Sequence, residues 1–96
     1  MDTHLLKVIK DTVFSHVDSK KYRVFIFGSR ALETSTQFSD IDIGIESDSK
    51  ISPLLLFELE EAFEESNLPY MVDIVDFTSV SDKFKQVAKK HTIRLN

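Results

Sequence analysis

The stretch Asp40-Ile41-Asp42-Ile43-Gly44-Ile45 alternates strictly between polar or small residues and isoleucine. A period of two is that of a β-strand half-buried in a sheet, so Ile41, Ile43 and Ile45 point to one core while Asp40, Asp42 and Gly44 line the other face. Two carboxylates two residues apart on one strand face stand about 6 to 7 Å apart at the backbone, close enough to share a hard divalent cation. An EF-hand reading of the same segment fails: its isoleucines alternate as a strand does, and the glutamate required at the twelfth position is missing.

The rest of the chain supplies alternating elements around this strand. Leu5, Val8, Ile9, Val13, Phe14 and Val17 follow the three-and-four spacing of an amphipathic helix. Tyr22-Arg23-Val24-Phe25-Ile26-Phe27 is a β-branched and aromatic run that reads as a strand buried on both faces and ended by Gly28. Residues 30–39 read as a loop or one helical turn. Ser52-Pro53 places a cap before a proline at the first helical position and opens a helix to about Ser66, closed by Asn67 and Pro69. Tyr70 to Val75 is a third strand, and Ser79-Val80-Ser81 can cap a last helix reaching about His91. Strands alternating with helices predict an α/β (α+β) fold, a small mixed sheet with helices packed on it.

With 96 residues, 42% hydrophobic and 29% charged, the chain has room for one core, and residues 1–96 are read as a single domain. The absence of cysteine excludes disulfides, thiolate metal sites and a cysteine nucleophile, leaving chemistry to oxygen, nitrogen or a hard metal. A net charge of -4 gives no basic field for gripping duplex nucleic acid. Neither a signal peptide nor a membrane span is legible, so a cytoplasmic protein is expected.

Gly28-Ser29 is followed by ten residues and then Asp40-Ile41-Asp42, with Asp73 on the next strand. Gly28 permits a tight turn at the end of a buried strand, and free backbone N–H groups at Ser29 can cradle phosphate. Asp73, between Val72 and Ile74, can complete a three-carboxylate cluster. Such a cluster repels itself until a cation relieves it. With magnesium bound, triphosphate oxygens can share the metal, and the parts fit nucleotidyl transfer.

Phe27-Gly28-Ser29-Arg30, the ten-residue spacing and Ser39-Asp40-Ile41-Asp42 resemble the minimal nucleotidyltransferases of the DNA polymerase beta superfamily. The resemblance covers nearly the whole chain and implies a polymerase beta palm-like core. It also implies Gly28, Ser29, Arg30 and Ser39 as nucleotide-binding residues, and Asp40, Asp42 and Asp73 as catalytic, magnesium-holding carboxylates. Among small members the pattern is similar to antitoxins that pair with HEPN-domain ribonuclease toxins and inactivate them by moving AMP from ATP to a toxin tyrosine. A HEPN-domain helical partner in a hetero-oligomer is therefore expected. Where many relatives read Gly-Ser-Arg-Ala-Arg-Gly, this chain has Leu32 and Glu33, which removes a cation and adds an acid beside the triphosphate. Two other readings stand beside transfer to a toxin: neutralisation by binding alone, and transfer to a small molecule or RNA end.

Several other residues receive structural roles. Asp76 and Glu46 are expected to be peripheral to the metal, and Glu58, Glu60, Glu61, Glu64 and Glu65 to form a solvated helix face. Surface positions are expected for His4, His16 and His91. Lys83, Lys85, Lys89 and Lys90 should balance acidic neighbours and the dipole of the last helix.

Overall fold

The computed structural model describes residues 2–28 and 40–96. Their order is α1 (Thr3–Phe14), β1 (Arg23–Phe27), β2 (Ile41–Glu46), α2 (Pro53–Glu64), β3 (Val72–Asp76), α3 (Asp82–Ala88) and β4 (Ile93–Arg94). Each helix starts where a short polar side chain can take over an orphan amide. Asp2 accepts from the amide of His4, Ser52 from Leu54 ahead of the Pro53 turn, and Ser81 from Phe84.

Among the described residues the sheet has the order β3-β2-β1-β4. β1 pairs antiparallel with β2, placing Phe27 opposite Asp42, and antiparallel with β4, while β2 and β3 run parallel. The sheet is thus mixed, as the alternation of elements predicts. One face buries Val24, Ile26, Ile41, Ile43 and Ile45 against Leu5, Ile9 and Val13 of α1 and Leu59 and Phe63 of α2. The other carries an aromatic cluster in which Phe25, Phe27 and Phe77 meet edge-on or tilted, with Phe84 and Ala88 of α3 on its flank. Gly44 makes that cluster possible: a Cβ there would lie 2.5 Å from the Phe25 ring and 2.7 Å from Phe77.

The strand boundaries shift slightly from those expected. Asp40 stands one residue before β2, which runs on to Glu46, and β3 begins at Val72 rather than Tyr70. The last helix ends at Ala88 because Lys89 already caps it, and the chain then turns back into β4, a strand the sequence reading does not contain. Asn96 fastens this return: its side chain accepts from the amide of Val24 at 3.0 Å and donates to the carbonyls of Ser19 and Tyr22. Among the described residues no helix is long and apolar enough to cross a membrane.

Candidate active site

Because β2 and β3 are parallel and in register, Asp42 and Asp73 are direct partners across the sheet. Neighbouring strands stand about 4.8 Å apart, so the two carboxylates leave the same face side by side. That face is the aromatic one, since Ile41 and Ile43 commit the opposite side chains to the α1/α2 core. Asp40 is exposed just ahead of β2, near enough for its charge to act on Asp42. Partial burial first, and then the charges of Asp73 and Asp40, push the Asp42 carboxyl above its ordinary value.

Gly28 closes this end of the sheet. It has φ +78°, in the left-handed region that glycine enters without a side-chain penalty. A Cβ at this position would lie 2.5 Å from Oδ2 of Asp42. Two independent requirements, a turn and a close approach, therefore fix glycine where β1 ends beside the carboxylates. Ser29, Arg30 and Ser39, together with Leu32 and Glu33, lie outside the described residues.

Two clefts flank this centre. One, of about 260 Å³, is apolar and lined by Phe27, Gly28, Phe84, Val87, Ala88 and His91. The other, of about 440 Å³, opens along the outer side of β3 and includes Asp73, with Glu60, Phe63 and Glu64 of α2 and Leu68. Neither cleft was anticipated from sequence: Phe84 and Val87 read as ordinary helix positions, and only the topology brings them to Gly28.

Among the described residues, no group of three or more acidic or histidine side chains is gathered tightly enough to form a finished metal cage. The donor set nevertheless fits a hard cation. Asp42 and Asp73 are paired oxygen donors on one face, and Asp40 adds a third charge nearby. Although burial is the larger cause of the upward push on Asp42, the part that comes from Asp73 and Asp40 is repulsion that a divalent ion would relieve. The remaining acidic residues are occupied elsewhere. Asp76 accepts from the Thr78 amide and hydroxyl and from Ser79, closing the turn after β3. Glu46 is bridged by Arg23 and Lys89, so Lys89 balances an acidic neighbour as expected. His4, His16 and His91 are exposed, although His91 borders the apolar cleft.

A glycine turn at a strand end beside two paired strand carboxylates is the arrangement that the sequence pattern implied. The family model described as "Polymerase beta, Nucleotidyltransferase" matches residues 9–95. The chain belongs to this nucleotidyltransferase family. A curated relative, the probable protein adenylyltransferase MntA of Haemophilus influenzae, is 38% identical over 69 residues. That match takes in 72% of this chain and 60% of the relative, so the chain spans less than two thirds of that protein's length. Among solved structures, a toxin–antitoxin crystal structure with AMP-PNP superposes with a TM-score of 0.76 at 25% identity, covering 95% of this chain and 72% of the other. The complex of tri-AMPylated Shewanella oneidensis HEPN toxin with MNT antitoxin gives a TM-score of 0.65 at 21% identity, with coverage of 95% and 71%, and shares the fold. The nucleotidyltransferase assignment covers the glycine turn, both paired aspartates and all four described strands.

Proposed function

We propose that this chain is a protein adenylyltransferase of the MntA type, moving AMP from ATP to a tyrosine hydroxyl of a HEPN-domain toxin and acting as its antitoxin. The observation that carries the reading is the register pair Asp42–Asp73 set against Gly28, within a family whose chemistry is nucleotidyl transfer. The likeness to the Haemophilus influenzae protein supports adenylylation of a protein as the form of that transfer.

Gly28, with Ser29, Arg30 and Ser39, holds the triphosphate at the end of β1. The apolar cleft beside Gly28, with Phe27, Phe84 and Val87 on its walls, suits a purine base better than the acidic cleft at Asp73 does. Asp40, Asp42 and Asp73 would hold magnesium, which supplies neutralisation of triphosphate charge and Lewis-acid assistance at phosphorus when bound. Asp73, the more open of the paired carboxylates, accepts the proton of the acceptor hydroxyl. The hydroxyl oxygen forms a bond to the α-phosphorus, the bond from that phosphorus to the pyrophosphate oxygen breaks, and pyrophosphate leaves. Binding both reactants in one orientation lowers the barrier to this displacement. Tyr22 and Tyr70 stand just before β1 and β3, close to the ends of paired strands, and the acceptor hydroxyl is assigned to another molecule. An acidic chain without cysteine that uses ATP suits the cytoplasm.

The test is incubation with the HEPN partner, magnesium and ATP labelled at the α-phosphate. Label should appear on a partner tyrosine. Label recovered only as free AMP, or on this chain, contradicts the reading.

A further inference from the structure

β3 is an edge strand, and among the described residues nothing pairs with its outer side. The amide of Ile41 donates to the carbonyl of Met71, and the amide of Phe77 donates to the carbonyl of Ile45. A parallel ladder uses alternate residues, so 71, 73, 75 and 77 spend their backbone groups on β2, while the amides and carbonyls of Val72 and Ile74 face outward. An exposed row of this kind accepts an added strand unless proline, charge, a bulge or a covering element blunts it. Val72-Asp73-Ile74-Val75 has no proline, lysine or bulge, and its one charge, Asp73, favours a basic strand over an acidic one.

We infer that this edge is where the acceptor docks: an extended, basic segment of the partner protein adds as a strand to β3, carrying its hydroxyl residue opposite Asp73. The inference rests on the transferase reading above and gives the acceptor a position. Side chains directly opposite each other on paired strands stand about 4.5–5.5 Å apart at Cβ and share a face, so a residue in register with Asp73 emerges beside that carboxylate. Its two sequence neighbours point to the other face. There they meet the 440 Å³ groove, whose lining includes the apolar side chains of Phe63 and Leu68 and the acidic Glu60 and Glu64. Long cationic side chains suit such a groove, with apolar stems on the floor and charged heads at the glutamates. The acceptor thus has lysine or arginine on one or both sides. A second copy of this chain is a poor occupant, because it brings a net charge of -4 to an acidic groove. The triphosphate is sorted to the opposite, Gly28 side for the same reason.

The experiment uses a probe peptide of alternating valine and lysine around a central tyrosine, and the same peptide with glutamate for lysine. Binding is read by fluorescence anisotropy with magnesium AMP-PNP present, which does not require transfer to occur. The lysine peptide should bind and the glutamate peptide should not. The double variant Glu60→Lys/Glu64→Lys should weaken binding by about tenfold or more while keeping the thermal shift given by magnesium AMP-PNP. Amide exchange supplies a readout independent of any substitution: the Val72 and Ile74 amides should slow on peptide binding. Equal binding of both peptides, or unchanged exchange at Val72 and Ile74, overturns the inference, as does a β3-mediated dimer of the chain alone that excludes the peptide. Docking seen without label transfer to any tyrosine in the presence of ATP retains the surface and rejects the transferase reading instead.

Discussion

At the scale of single residues, Gly28 and Asp42 constrain one another. Replacing Gly28 by alanine places a Cβ at φ +78° and against Oδ2 of Asp42. The backbone penalty alone is about 1–2 kcal/mol, and the carboxylate must move. Gly28→Ala should therefore lower the urea midpoint and also reduce the stabilisation given by magnesium AMP-PNP. Asp42 makes a prediction of the opposite sign. Its folded pKa lies above the unfolded one, so its contribution to stability is fully present below about pH 3.9 and is lost as pH rises through the folded value. At neutral pH the charged form opposes folding. Asp42→Asn should consequently melt higher than wild type at pH 7 without metal, an advantage that fades as the pH approaches 3. The same variant should lose most of the magnesium-dependent thermal shift that wild type shows. A variant destabilised at pH 7, or one retaining the full metal shift, would refute the assignment of Asp42. Asp42, Asp73 and Gly28 are legible in the sequence because a strand's alternation fixes a face and a glycine at its end marks a turn. Their register across β2 and β3 is not, since nothing local to either strand says which residue it meets.

At the scale of elements, the helix starts are readable because capping is local chemistry: Ser52-Pro53 and Ser81 act where the sequence places them. β4 escapes notice because two residues cannot display a period, and its pairing to Phe25 and Ile26 is decided by a partner about 70 positions away. The aromatic face escapes for a related reason. Phe25 and Phe27 announce burial, but Phe77 falls between the predicted third strand and the last helix, in neither, and only the fold makes it fully buried against them. Gly44 looks like a tolerated small residue in a strand until the rings of Phe25 and Phe77 are seen to fill its missing side chain. Gly44→Ala should thus destabilise by about 1–3 kcal/mol through overpacking, and chemical denaturation measures it. A neutral Gly44→Ala would mean that the rings have room to yield. Because Phe27 of this cluster and Phe84 packed against it line the apolar cleft at Gly28, the same substitution should weaken AMP-PNP binding more than a surface change of equal stability cost.

On the scale of the whole molecule, the sheet gathers its chemistry at one end. β1 ends just before Gly28 while β2 and β3 begin beside Asp42 and Asp73, so one antiparallel and one parallel pairing bring a glycine turn and two carboxylates together from three separate stretches of chain. The apolar cleft at Gly28 and the acidic groove at Asp73 lie on either side of that centre and differ in charge, which suits two unlike reactants meeting between them. The central claim is that this arrangement transfers AMP, as opposed to neutralising a partner by covering it. Intact mass spectrometry of the HEPN partner, after incubation with magnesium ATP and either wild type or Asp42→Ala, tests it most directly. An AMP adduct and loss of partner ribonuclease activity are expected with wild type, and neither with Asp42→Ala. Neutralisation without an adduct, achieved equally by Asp42→Ala, would contradict it.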